Sequence, residues 1–225
     1  MILISQVNFI KMLNEVSSCT RCQRLVSHLK QIRQQYPSYH NHPVNAFGDK
    51  NARLLIVGLA PGKHGANASG RPFTGDFSGQ LLFRTLFEFG FANKSESLNR
   101  QDDLLLNNCL ITNAVKCLPP QNKPQTNEIN ACNHFLQKEL SSLPSHAIIL
   151  ALGRIAHNAV LKSFNLKQSQ YAFKHLAEHQ LKPDLLLIDS YHCSRYNVQT
   201  KRLTEQMFQQ VFKRILELMT VYQHG

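Results

Sequence analysis

Gly58-Leu-Ala-Pro-Gly-Lys-His64-Gly-Ala-Asn67-Ala-Ser-Gly70-Arg71-Pro-Phe73-Thr-Gly75-Asp76 follows an apolar run, Leu54 to Val57, and precedes Leu81, Leu82, Thr85, Leu86 and Phe89. The run reads as a buried strand, and the later spacing as one face of a helix. A strand that empties into a long Gly-rich loop is where open α/β sheets place their ligand crevice. The stretch is therefore expected to form the floor of an active site.

Working outward, the strand spans Arg53 to Leu59 and the helix about Phe77 to Phe89, with Gly90 placed as its C′ residue. Upstream, helical spacing from about Gln6 to Gln35 (Phe9, Leu13 and Val16, then Leu25, Leu29 and Ile32) brackets Cys19-Thr-Arg-Cys22. Tyr36 to Lys50 has no clear period and reads as an ordered loop or lid. Downstream, Cys109 to Val115 is a second buried strand, stopped by Pro119-Pro120, since consecutive prolines cannot continue a ladder. A helix from about Thr126 to Leu143, a strand from Ala147 to Leu152 and a helix from Gly153 to Phe164 follow. Residues 165–182 are ambiguous. Leu185 to Ile188 is a fourth strand, leading into Asp189-Ser-Tyr-His192-Cys-Ser194-Arg195-Tyr-Asn197, and a closing helix starts at about Leu203. Strands alternating with helices predict an α/β fold whose four-stranded parallel sheet is covered on both sides.

Size and charge narrow the partners. The 225 residues suit one domain, 1–225, whose helical part over 1–50 carries two cysteines. Lys and Arg number 25 against 14 Asp and Glu, a net charge of +11 spread along the chain, which suggests a polyanion such as nucleic acid. No signal peptide or membrane-spanning run is visible, so a cytoplasmic protein with no membrane partner is expected. In a reducing compartment six cysteines read as thiols or metal ligands. Cys117 and Cys132, with fourteen residues between them, join Cys19 and Cys22 as four thiols. Four thiolates suit a [4Fe–4S] cluster; a structural zinc or four ordinary buried cysteines are the alternatives. Cys109 and Cys193 read as core.

The strings GLAPGKHGANASGRPFTGD, TNAVKCLPPQNKP with Cys132 downstream, and SYHCSRYNVQTKRLT together resemble the family 5 (type B) uracil-DNA glycosylases, in register from about Cys19 to the last helix. The resemblance implies a three-layer α/β/α sandwich with a central four-stranded parallel sheet. It also implies a [4Fe–4S] cluster on Cys19, Cys22, Cys117 and Cys132, and a monomer that removes uracil and other deaminated bases, such as hypoxanthine, from double-stranded DNA, single-stranded DNA being a further substrate.

That chemistry asks for a carboxylate near the sugar, which becomes cationic, and a donor near the departing base. Asp76 and His192 are the candidates. In better-known branches of the superfamily an acidic or amide residue follows the motif's first Gly; here Ala60 stands in that neighbourhood and cannot polarise water. Asp76 also immediately precedes a helix, where backbone N–H groups near Ser78 and Gly79 would cap onto it and lower its pKa. That favours electrostatic stabilisation and water orientation over full general-base catalysis. Phe73 offers a flat face to an extruded pyrimidine, Asn113 an amide to the base edge, and Ala60, His64 and Asn67 line the pocket or hold its backbone. Ser194, Arg195, Tyr196 and Asn197 form the segment expected against DNA, with Arg195 or Tyr196 filling the vacated stack. The family pattern has Pro after the motif His, where this chain has Cys193.

Two rival enzymes are excluded. Gly58-x3-Gly62-Lys63 is one residue short of a phosphate-binding loop and lacks the following Ser or Thr, and the His-x-Glu and Pro-Cys-x-x-Cys strings of a zinc deaminase are missing. A non-catalytic Fe–S DNA-binding module is the alternative from another class.

Overall fold

The structure, a computed structural model, describes residues 13–221; Phe9 and the first turns of the expected N-terminal helix lie outside them. Residues 13–17 are helical, Cys19 and Cys22 fall at the break, and α1 follows over Gln23–Gln35, burying Leu25, Leu29 and Ile32. The remaining elements are β1 (Phe47–Gly48), β2 (Leu54–Gly58), α2 (Ala66–Ser69), α3 (Phe77–Glu88), β3 (Cys109–Asn113), α4 (Thr126–Ser141), β4 (Ala147–Leu152), α5 (Arg154–Ser163), β5 (Glu178–Lys182), β6 (Leu185–Ser190), α6 (Arg195–Gln199) and α7 (Glu205–Val221).

The sheet runs β1-β3-β2-β4-β6-β5. Its four inner strands are parallel, as expected from the α/β alternation. Two short antiparallel strands, β1 and β5, extend it at the edges. Neither was legible: β1 is two residues inside the aperiodic 36–50 loop, and β5 alternates exposed polar residues with half-buried His179 and Leu181, so neither shows an apolar run.

Side-chain alternation splits each inner strand between two cores. Leu54, Ile56, Ile148, Leu150, Leu186 and Ile188 face α3 and α7, where Leu82, Phe208 and Phe212 are buried. Leu55, Val57, Ile149, Ala151, Leu185 and Leu187 face α4 and α5. Each such Leu or Ile contributes roughly 1.5–3 kcal/mol on burial, and the two faces together make the three-layer α/β/α arrangement. Because β2 leads to a helix on one face and β4, its neighbour, to a helix on the other, a crevice opens beyond the carboxyl ends of these strands. Gly90 is the C′ residue of α3 as expected, and the end is a Schellman motif: Gly90 at φ +77 donates to Phe87 O and Phe91 donates to Leu86 O. Among the described residues no helix is long and apolar enough to cross a membrane.

Candidate active site

The carboxyl ends of β2, β3, β4 and the loop after β6 surround a cavity of about 410 Å³, whose wall includes Ala60, Phe73, Asp76, Asn113, His192 and Ser194. Register explains part of this convergence. Gly58 of β2 pairs with Asn113 of β3, and the missing side chain at Gly58 leaves room for two others: an added Cβ would overlap Asn113 Oδ1 and stand 2.7 Å from the Phe73 ring. Phe73 itself has φ +60, a strained conformation for a bulky residue costing ~1–3 kcal/mol. Gly79 permits it, because any Cβ there would collide with the Phe73 carbonyl. The Phe73 ring lies nearly parallel to His192, with 6.2 Å between centroids.

Asp76 occupies the N-cap position of α3, but its side chain does not cap that helix. The carboxylate turns back instead, accepting from Ala66 N at 3.2 Å, into space that Gly62 and Gly65 leave free; a Cβ at either would overlap it. Burial raises its pKa, and the Ala66 N–H and the neighbouring His64 offset this only in part. The expected lowering by capping is thus overturned: Asp76 is a stronger base than a capping aspartate would be.

His192 meets the cavity on one side and protein elsewhere. Burial pushes its imidazole down to about 4, so it is neutral at physiological pH, and its Nδ1 has no hydrogen-bond partner. Neighbours hold its backbone: Asn197 Nδ2 donates to His192 O at 2.8 Å, and Ser194 Oγ caps α6 by accepting from Asn197 N. Cys193, where the family pattern has Pro, is fully buried in the core under α7, and that packing anchors the loop. Next door, Tyr191 stacks on His175 and donates its N–H to that ring.

Two expected pocket residues do not line the cavity. Asn67 is fully buried and donates to Asn41 Oδ1 at 2.9 Å, which ties the motif loop to the 36–50 segment. His64 is exposed and hydrogen-bonded to Tyr39 Oη at 3.0 Å. In the 194–197 segment, Arg195 lies over the Phe77 ring at 5.1 Å, whereas Tyr196 is 69% exposed.

Ser78, Asn122, Arg154 and Ile155 also line the cavity and are not among the residues expected there. Arg154 and Ile155 follow Gly153 at the end of β4, so the strand-end rule that found Asn113 would have found them. Asn122 reaches the wall through consecutive left-handed residues, Gln121 at φ +56 and Asn122 at φ +55, which no sequence pattern announced. Arg71 clamps the segment between α3 and β3 onto the motif loop through Asp102 at 2.6 Å. Burial alone would raise Asp102, but Arg71 and the N–H groups of Leu104, Asn99 and Leu98 bring it down to about 2.

Cys19, Cys22, Cys117 and Cys132 line one narrow, largely apolar cavity between α1 and α4. Burial pushes the Cys132 thiol up to about 11 and raises Cys117 and Cys22, and the sulfurs reinforce one another's shifts. Lys116 N donates to Cys132 Sγ at 3.3 Å. The four cysteines are not among the described groups compact enough for a single metal ion.

Residues 26–216 match the family model described as "Uracil DNA glycosylase superfamily". The chain is 44% identical over 201 residues to a type-5 uracil-DNA glycosylase of Thermus thermophilus, covering 87% of this chain and 91% of that protein. It is 42% identical to a type-5 uracil-DNA glycosylase of Pyrobaculum aerophilum, covering 89% of each. It is 28% identical to a type-4 uracil-DNA glycosylase of Saccharolobus solfataricus, covering 88% of this chain and 82% of that protein.

Proposed function

The chain belongs to the uracil DNA glycosylase superfamily, and from that premise we propose that it is a DNA-repair enzyme that extrudes uracil from double-stranded DNA and hydrolyses its N-glycosidic bond without cutting the strand. Hypoxanthine and other deaminated bases, and single-stranded DNA, fall within the same reading. The observation that carries it is the convergence of Asp76, Asn113, Phe73 and His192 on one cavity at the strand ends. A DNA-binding module would have no use for a carboxylate, an amide and an imidazole buried together, since burying polar groups costs stability unless something recovers it.

In this reading Phe73 stacks on the extruded base and the Asn113 amide bonds its edge. Neutral His192 donates an N–H to the base oxygen as negative charge builds there. Asp76, anionic, faces the sugar as it turns cationic. Its raised pKa suits it to take a proton from water as well as to stabilise charge, which shifts the balance toward general-base catalysis. Arg195 lying over Phe77 and the exposure of Tyr196 favour Tyr196 as the side chain that enters the vacated stack. The +11 charge supplies phosphate attraction. A monomer working in the cytoplasm, folded as one glycosylase-like unit over 1–225, completes the proposal.

Cys19, Cys22, Cys117 and Cys132 fit a [4Fe–4S] cluster as donors. A lone zinc would draw four sulfurs to about 3.8 Å of one another, given a Zn–S bond near 2.3 Å, and these four do not form so compact a group. The cluster would supply cationic charge that offsets four mutually repelling thiolates, joining α1 to α4.

Incubating the chain with a duplex bearing one uracil, then alkali, is expected to break the strand at that site, with roughly four iron per chain in anaerobic preparations. Tight binding without cleavage of uracil or hypoxanthine would overturn the enzymatic reading; stoichiometric zinc without iron would overturn the cluster.

A further inference from the structure

Away from the catalytic cavity, the described residues contain one group compact enough for a single metal ion: His157, His179 and Asp189, whose ligand atoms all lie within 4.8 Å of one another. Three elements bring them together. Strand alternation puts Asp189 of β6 on the face of Leu185 and Leu187, toward α5. On α5, His157 is buried beside Ala156 and Val160. Antiparallel pairing sets His179 of β5 opposite Leu187, so its ring falls on the same face.

The hydrogen-bond geometry leaves a place for a cation. His157 Nε2 lies 3.0 Å from Tyr171 O, and Nδ1 lies 2.8 Å from Asp189 Oδ1. A carbonyl oxygen only accepts, so Nε2 carries the hydrogen, and in a neutral imidazole Nδ1 turns its lone pair toward the carboxylate. Two electron-pair donors so close repel unless something positive lies between them. His179 Nε2 stands 3.1 Å from the other oxygen, Oδ2, so each oxygen of one fully buried carboxylate faces one imidazole nitrogen.

The geometry points to a resident divalent cation of the zinc class, held by His157 Nδ1, His179 Nε2 and both oxygens of Asp189. An ion about 2.0–2.1 Å from each donor would see the closely spaced N and O pairs at roughly 85–100°. The outer shell is already in place, because the Tyr171 carbonyl fixes the His157 tautomer that leaves Nδ1 free to ligate. Mixed imidazole and carboxylate donors suit zinc, whereas calcium and magnesium take oxygen alone. The ion would pin β5 and α5 to β6, the strand that delivers His192, and would take no part in the reaction.

The test uses the full chain with its iron, dialysed against a chelator, loaded with zinc chloride, washed, and analysed for zinc and iron. Wild type should retain one zinc per chain beyond its iron and melt at a higher temperature with zinc than without. His179→Ala, on a partly exposed edge strand, and Asp189→Asn should bind zinc at least tenfold more weakly. His179→Ala should keep its iron and its uracil excision, and carries the test alone if Asp189→Asn does not fold. Equal zinc uptake in wild type and variants would overturn the proposal by placing the metal on the cysteines or the surface. So would no zinc uptake by wild type, and NMR evidence that both His157 nitrogens carry hydrogens would then identify the cation as a proton.

Discussion

The catalytic cavity and the interface between β3 and α4 both bury polar side chains, and they differ in whether those groups are paired. At the interface, Lys116 Nζ bonds both oxygens of Glu139 at 2.7 and 2.8 Å, Thr112 Oγ1 bonds the same carboxylate at 3.0 Å, and all three are essentially inaccessible. At the cavity, His192 Nδ1 has no partner and the Asp76 side chain is given one backbone N–H. Native structures pair nearly all buried polar groups, and the cavity's incomplete set leaves these groups able to bond a ligand. Pairing at the interface specifies how α4 sits on the sheet. Its absence at the cavity leaves the hydrogen-bonding capacity to a base, a sugar and a water.

On that contrast, damage to the two regions separates rate from stability. The largest expected effect is Asp76→Asn, which keeps shape and loses charge: single-turnover uracil excision should fall by roughly 10³–10⁴-fold, with uracil-DNA affinity within a few-fold. Unchanged excision would remove Asp76 from the mechanism. Glu139→Leu should act the other way round, costing ~3–5 kcal/mol in chemical denaturation by stranding the Lys116 ammonium, while excision per folded chain stays within a few-fold. Adding Lys116→Met should recover most of that loss, because two apolar groups strand nothing; failure to recover would mean the pair does more than satisfy itself.

A smaller effect is expected from Gly65→Ala. Its added methyl overlaps the Asp76 carboxylate and must push it aside, and a displacement of about 1 Å at a reacting group costs on the order of 10²-fold in rate. A crystal structure of the variant should show the carboxylate moved, and an unmoved one would break the link between glycine and rate.

Gly65 also shows how far the sequence could be read. Apolar runs announced the four inner strands, and motif spacing announced Asp76, Asn113 and His192, because burial and strand-end geometry leave patterns in residue type. What Gly62 and Gly65 do for Asp76 left none: a glycine's use depends on what comes close to it in space, and Asp76 approaches from a turn whose direction only the fold sets. The same limit hid the Asp76 orientation, since an aspartate before a helix looks like a cap whichever way it turns. It hid β1 and β5, whose pairing is written in their neighbours, and the meeting of His157, His179 and Asp189, which depends on register.

The smallest effects are those of pH, and here the cavity's two titratable groups should pull in opposite directions. Asp76 has its folded pKa raised, so whatever it contributes to stability is present below its unfolded value and is lost as pH rises through the folded one. Asp76→Asn should therefore be slightly more stable than wild type near pH 7, with the advantage shrinking on acidification. His192 has its folded pKa depressed to about 4, so its contribution is present above the unfolded value near 6.5 and is lost as pH falls through about 4. Replacing it with Gln, which keeps an N–H donor and cannot titrate, should flatten that acid loss. In the rate the order reverses. The acid limb of excision should belong to Asp76, lying above the ordinary carboxylate range, and His192→Gln should leave its midpoint where it is. A midpoint that moves with His192 would mean that the imidazole acts charged, and the cavity would then hold an ion pair of the kind found at the Lys116 interface instead of groups left open for substrate.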